Sequence, residues 1–138
     1  TKSAQEQYDL VLYIYKVFEA AGVNVNIEKA MFMADHDIDV PTAVTLAEQA
    51  GQNRNDVNTQ DSLAWVYYKA GRFDDAKAAE TKAMRLGTLN ALFFFHMGMI
   101  DKLLGNQADS QTYINKTIPI NPYLSILHSA AAASLAGT

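Results

Sequence analysis

The feature that most restricts the fold of this chain is an internal repeat. When Gly71 is aligned with Gly105, the flanking sequences match at a period of 34 residues, and Ala64 falls on Gly98. An earlier and weaker copy, within residues 24–56, aligns at a spacing of 33 residues. Repeats of this length are typical of arrays in which each structural unit packs against its neighbours.

Apolar residues recur within each copy at the period of an α-helix. The first half of the second copy has such a stripe at Leu63, Val66, Tyr67 and Ala70. The second half continues it with Phe73, Ala76, Ala79 or Glu80, Ala83 and Leu86. The pattern predicts three helix–turn–helix pairs, at 27–36 with 40–51, 59–70 with 73–86, and 91–104 with 107–119. Two further helices are predicted at 4–21 and 123–136.

Residues with known preferences for helix ends stand between these stripes. Gly71 is expected to close the first helix of its pair in a left-handed backbone conformation. Asn58 and Asn106 are expected to cap the helices that follow them, and Asp39 likewise caps the helix that begins near residue 40. Pro122 is expected to begin the last helix.

Composition excludes several classes of function. The chain has 138 residues, a net charge of −4 and no cluster of Lys and Arg, so no nucleic-acid partner is predicted. It contains no cysteine, which excludes disulfides, thiolate metal sites and cysteine nucleophiles. No apolar run is long enough to span a membrane. A first residue of Thr1 fits a processed product or a segment of a longer protein, and without a signal segment an intracellular location is favoured.

Two stretches carry a resemblance to a known family. LAWVYYKAGRFDDAKAAETKAMRLG and FHMGMIDKLLGNQADSQTYINKTIPINP closely resemble tetratricopeptide repeats. The resemblance depends on small residues at helix crossings, on glycines at the turns and on the end of the repeat, namely Ala64, Gly98, Gly71, Gly105, Ala76, Ala83 and Asn121-Pro122. Ser110 and Thr117 depart from it, because the family pattern prefers Ala at both positions.

The resemblance implies an all-α fold, a right-handed α-α superhelix of about three helix–turn–helix repeats with an extra helix at each end. The whole chain, 1–138, would form one domain. Its predicted parts are an N-terminal helix at 1–22, a divergent repeat at 24–56, repeats at 57–90 and 91–122, and a C-terminal capping helix at 123–138.

The resemblance also implies a non-catalytic module that binds a protein or peptide in a concave groove. Groove-facing positions of the family, carried over by position, are Phe32, His36, Asp61, Trp65, Tyr68, Lys69, Phe95, His96, Met99 and Lys102. Phe32, Trp65 and Met99 are expected to form one aromatic and apolar row. Aromatic residues at helical spacing also fit internal packing, and the sequence leaves that alternative open. If the groove is open, Trp65→Ala is expected to leave the fold intact.

The first predicted helix supports a second hypothesis. One of its faces carries Tyr8, Val11, Leu12, Tyr15 and Phe18, and the other carries Leu10, Tyr13, Ile14 and Val17. A helix that is apolar nearly all round is normally buried on both sides, so its second face needs an upstream segment, a fold-back of the chain or a second subunit. The alternative function is therefore a structural element that self-associates through its apolar terminal helices, as a homo-oligomer.

Catalytic and metal-binding patterns are absent from the sequence. Residues 35–39 read Asp-His-Asp-Ile-Asp, which we interpret as a helix end followed by a cap, because the spacing of a calcium loop is missing. His36, His96 and His128 are far apart in the chain and show no metal-ligand spacing. No nucleophile elbow or phosphate loop occurs. The sequence therefore predicts no catalytic residue, no metal site and no cofactor.

Overall fold

The computed structural model describes residues 2–124 and 128–136. These residues form eight α-helices and one 3₁₀ turn, without any β-strand. No helix in this part of the chain has the length and apolar character that crossing a membrane requires. The helices are α1 Lys2–Ala20, α2 Asn26–Asp35, α3 Val40–Asn53, α4 Val57–Lys69, α5 Phe73–Ala83, α6 Ala91–Leu103, α7 Gln107–Ile120 and α8 Ser129–Ala136, with the 3₁₀ turn Met84–Leu86 after α5.

Consecutive helices pack as hairpins. Helix α2 pairs with α3, α4 with α5, and α6 with α7, as the periodicity predicts. Neighbouring hairpins also touch, since α2 and α3 both contact α4, and α4 and α5 both contact α6. Helix α8 packs on α7. The prediction of an all-helical chain whose helices pack against their neighbours is confirmed.

The turns inside two hairpins have the same geometry. Gly71 and Gly105 adopt φ values of 76° and 81°, a region that side-chain-bearing residues rarely occupy. The amide of the next residue then closes the turn, because Arg72 donates to the carbonyl of Tyr67 at 2.9 Å. The corresponding amide after Gly105 closes the second turn over the same distance. The predicted glycine ends of these helices are confirmed.

The starts of the helices agree with the sequence in one case and differ in another. Asp39 caps α3 as expected. Helix α4, however, is capped by Asp56 and not by Asn58. Asp56 accepts hydrogen bonds from both the backbone amide and the hydroxyl of Thr59, at 2.9 and 2.8 Å. These bonds, the backbone one first, lower the pKa of the Asp56 carboxyl. A carboxylate accepts two such bonds, and the helix therefore begins two residues earlier than predicted.

Two expectations near the C-terminus also need correction. Asn106 does not cap α7, because its side-chain amide donates instead to the buried carboxylate of Asp101, at 2.9 Å. Pro122 does not begin a helix. It lies in a turn in which the side chain of Asn121 accepts a bond from the amide of Tyr123, and α8 starts only at Ser129. Residues 125–127 of the predicted helix lie outside the described residues.

Helices α6 and α7 cross closely at Gly98. A Cβ atom there would lie 2.7 Å from Cδ1 of Ile114 and 3.2 Å from the carbonyl oxygen of Ser110. The Ser110 hydroxyl donates to the carbonyl of Gly98 at 2.8 Å, which satisfies a polar side chain where an alanine was expected. The small residue at position 98 therefore sets the distance between the two helices.

Candidate functional site

The predicted groove residues lie in three environments. Asp61, Trp65, Phe95 and His96 are buried, with exposed fractions of 4% or less. Phe32, His36, Tyr68, Lys69 and Met99 are half-buried, and Lys102 is exposed. The first group is not accessible to a partner in this structure.

Trp65 lies at the centre of the buried group. Its indole ring stacks on Tyr68 and on His96, with ring centroids 4.6 and 4.3 Å apart. Its Nε1 atom donates to Oδ1 of Asp35 on α2, at 2.8 Å. Met99 packs against the same cluster.

Phe32 has different neighbours. Its ring contacts Tyr8 at a centroid distance of 5.8 Å and His36 at 4.7 Å. The Tyr8 ring also lies 4.3 Å from the ring of His36. Helix α1 therefore covers this end of the predicted groove.

The C-terminal segment covers the centre of the groove. The His128 ring meets Trp65 edge-on at 5.1 Å and stacks on Phe95 at 5.0 Å. Ala132 of α8 is fully buried in the same cluster, and Leu124 packs against it. The chain's own residues therefore fill the space that a peptide would occupy beside Trp65.

A buried polar cluster, which we call the Asp61–Glu80–His96 cluster, lies beneath the Trp65 ring. Asp61 comes from α4, Glu80 from α5 and His96 from α6. Nδ1 of His96 lies 2.7 Å from Oδ1 of Asp61. One ligand-type atom from each residue lies within 4.8 Å of the other two, and all three side chains are buried. One imidazole nitrogen and two carboxyl oxygens form a donor set that could hold a metal ion.

Glu80 has the most unusual environment of the three. Burial, and next the neighbouring carboxylate of Asp61, raises the pKa of Glu80 to about 10. A hydrogen bond between the two carboxyl groups also raises this pKa, and neither oxygen of Glu80 has a partner outside the cluster within the described residues. Glu80 is therefore a neutral carboxylic acid near pH 7.

The histidine beside the cluster is also held in its neutral form. Burial lowers the pKa of His128, and the nearby His96 ring lowers it further, whereas Asp35 opposes the shift. Nε2 of His128 lies 3.7 Å from Oδ1 of Asp35. The rings of His96 and His128 and the carboxyl group of Asp35 thus contact the Trp65 ring, and of these three side chains only His96 is fully buried.

Sequence reasoning did not find this cluster. Asp61 and His96 were predicted as groove residues without a relation to each other, and Glu80 was not predicted as a site residue. The available signal was a glutamate within the alanine stripe of α5, at a position that helical periodicity places in the core. A buried carboxyl group needs a polar partner. The helices that pack against α5, namely α4 and α6, are where such a partner is expected.

Trp65→Ala is expected to destabilise the protein, contrary to the expectation for an open groove. The substitution leaves a cavity and removes the donor of Asp35, so the free energy of unfolding should fall by about 3–5 kcal/mol. Circular dichroism during urea unfolding measures this. Tyr123→Ala is the control, because Tyr123 is 86% exposed. Equal stability of the two variants would contradict the buried role of Trp65.

The raised pKa of Glu80 predicts how stability depends on pH in the metal-free protein. The folded state keeps a proton that the unfolded chain releases above pH 4.5, the ordinary value for this carboxyl group. The free energy of unfolding should therefore fall as the pH rises from there towards about 10, by up to about 1.4 kcal/mol per pH unit. Asp61 and His96 face Glu80 and belong to the same network.

Glu80→Gln should remove most of this slope and be more stable than the wild type at pH 8. Urea unfolding at several pH values, in buffer with a chelator, makes the comparison. Glu28→Gln is the control, because Glu28 is exposed on α2. A Glu80→Gln variant with the same slope as the wild type would show that Glu80 is ionised in the folded state.

Comparison of the chain with protein-family models, with curated proteins and with solved structures found no match. The tetratricopeptide resemblance therefore depends on the residues of the chain itself.

Proposed function

We propose that the chain is a non-catalytic protein-association module of the tetratricopeptide type, and that it associates with a second copy of itself through the outer face of α1. The 34-residue period and the glycine turns support the repeat assignment. So does the packing of the first helices of successive hairpins, α2 on α4 and α4 on α6. Stacking of this kind is expected of a right-handed superhelix of about three repeats.

The observation that carries the proposal is the apolar outer face of α1. Leu10, Tyr13, Ile14 and Val17 on this face are between 43% and 63% exposed. Phe18, which was predicted from the sequence to lie on the other face, is 45% exposed and extends this one. The five residues follow one another at helical spacing, so they form one continuous strip. A contiguous apolar strip on a helix marks an association surface more often than a solvated one.

The opposite face of α1 already has its partner. Tyr8 packs on Phe32, and Lys29 of α2 forms an ion pair with Glu19 at 2.8 Å. The hydroxyl of Tyr15 donates to the backbone carbonyl of Glu28 at 3.4 Å. These contacts lie on the inner face of α1, so its outer strip faces solvent.

A second copy of the chain fits this strip. If two α1 helices pair antiparallel, Leu10 of one lies opposite Val17 of the other, and the apolar strips cover each other about a two-fold axis. The same pairing brings Asp9 of each copy near Lys16 of the other. Neither residue has an ion pair within the described part of the chain, so both charges are available for the contact.

Leu10→Lys should weaken self-association at least about tenfold, because it places a charge within the apolar contact of both copies. Sedimentation equilibrium over a wide concentration range measures the dissociation constant. Leu103→Lys on α6 is a matched control, since the two leucines are 51% and 50% exposed. A wild-type protein that remains monomeric at millimolar concentration would contradict the proposal, as would equal effects of the two substitutions.

A second candidate function is the binding of a peptide in the part of the groove that remains open. A depression of about 390 Å³ lies between α2 and α4, lined by Ile27, Glu28, Met31, Arg54, Asn58, Thr59 and Ser62. It lies on the first helices of two hairpins, where the family resemblance implies a ligand. Its mixed apolar and charged lining suits an extended peptide.

Peptides selected from a random library should lose binding to Asn58→Trp, which fills this depression. They should retain binding to Leu10→Lys and to Asn55→Trp, because Asn55 is exposed and lies outside the lining. Fluorescence polarisation with labelled peptides measures the change. Selected peptides that bind Asn58→Trp as tightly as the wild type would exclude this site.

A further inference from the structure

The Asp61–Glu80–His96 cluster brings together donors from three helices in a space closed to solvent. Glu80 and His96 have exposed fractions of 0%, and Asp61 is 4% exposed. The three ligand-type atoms lie within 4.8 Å of one another. Each donor is held by a different helix of the packed hairpins, so the convergence results from the tertiary fold and not from flexible surface side chains.

The cluster is incomplete as a hydrogen-bond network. Among the described residues Glu80 has no hydrogen-bond partner outside the cluster, since Asp61 is its only neighbour of that kind, and Nε2 of His96 is buried without a partner. Buried polar atoms without partners are rare in folded proteins and indicate a missing ion or water. The fully buried Glu80 carboxyl lies beside the other two donors and has no partner outside this ligand set.

We propose that the Asp61–Glu80–His96 cluster binds one divalent first-row transition-metal ion. Two carboxylates and a neutral imidazole carry a total charge of −2, which such an ion balances, so the loaded site is neutral in a medium that penalises net charge. An imidazole nitrogen beside two carboxylate oxygens suits Zn²⁺, Co²⁺, Mn²⁺ or Fe²⁺. Ca²⁺ requires six or more oxygen ligands and Mg²⁺ requires octahedral coordination by oxygen, so a set of two carboxyl groups and one imidazole suits neither ion.

The three donor atoms could hold an ion after small changes in the distances between them. Ligands about 2.0–2.2 Å from a tetrahedral ion are about 3.3 Å from one another. Nδ1 of His96 and Oδ1 of Asp61, now 2.7 Å apart, would separate slightly as the ion replaces the proton between them. Glu80 would move closer by side-chain rotation and lose its proton. Water or the second oxygen of a carboxylate can complete the coordination.

Trp65 provides a direct test, because it is the only tryptophan in the chain and its ring stacks on His96 at 4.3 Å. Protein refolded with Co²⁺ and then desalted should retain one ion per chain. A paramagnetic ion bound at His96 should quench the fluorescence of Trp65 in a saturable manner, and Zn²⁺ should restore the fluorescence by competition. Mg²⁺ should have no effect.

Glu80→Gln keeps the shape of the protonated side chain but cannot bind the ion as a carboxylate. Its affinity for Co²⁺ should fall by at least about 100-fold, since even the loss of an outer-sphere partner costs a metal site about 10- to 100-fold. His128→Gln is the matched control, because His128 also contacts Trp65, at 5.1 Å, but does not belong to the cluster. This variant should retain Co²⁺ with nearly wild-type affinity.

Three results would overturn the proposal. They are wild-type protein that retains no Co²⁺ after refolding and desalting, a Glu80→Gln variant that binds as tightly as the wild type, and quenching that His128→Gln abolishes. If circular dichroism shows that Glu80→Gln does not fold, Asp61→Asn takes its place with the same expected loss of affinity. If neither variant folds, the retention of Co²⁺ by the wild type and its displacement by Zn²⁺ still test whether the ion binds beside Trp65.

Discussion

The interactions of the Trp65 ring hold the middle of this structure together. The ring stacks between Tyr68 of its own helix and His96 of α6, and its nitrogen donates to Asp35 of α2. Its edge faces His128 in the segment before α8. First helices of three successive hairpins and the C-terminal segment thus meet at one aromatic side chain. Large aromatic groups contribute much of the packing energy of a core, and the indole nitrogen in addition fixes which acceptor it faces.

The same ring closes the space above three ionisable residues. Asp61 and His96 satisfy each other, but Glu80 lies among the small buried side chains of Ala76, Ala79 and Ala83 on α5. Alanines let the hairpins approach closely, so a carboxyl group among them is buried. Such a group destabilises the fold unless it is protonated or meets a cation. Protonation therefore stabilises the metal-free fold, and a bound cation would take the place of the proton.

Local patterns in the sequence were sufficient for the helices and their turns. Apolar spacing and the glycines at 71 and 105 act within a few residues, and the predicted helices agree with the structure to within a few residues at most ends. The cap at Asp56 was missed because Asp56 and Asn58 are both suitable cap residues, and only the structure shows that Asp56 accepts from Thr59. The contacts of the site were missed for a different reason, since Asp61 and His96 are 35 residues apart.

That separation is one residue more than the repeat period, so the two positions are nearly equivalent in successive copies. The first helices of successive copies face each other, so equivalent positions on them lie close together. The repeat period could therefore have predicted that Asp61 and His96 meet, whereas the spacing rules for metal ligands could not. Glu80 is harder to place from the sequence, because its approach to Asp61 depends on how α5 packs against α4. No residue pattern within one helix encodes that packing angle, although the ridges of side chains restrict it.

The two ends of the chain determine which surface is left for a partner. A bare array of three hairpins would expose Phe32, Trp65 and Phe95 along its first helices. Here α1 covers the first of these residues, and the C-terminal segment covers the other two. A terminal helix ends an array when its outer face is polar. The outer face of α1 is apolar instead. Helix α1 thus buries apolar residues of the groove with one face and exposes apolar residues on the other. Association is therefore expected at the outer face of α1.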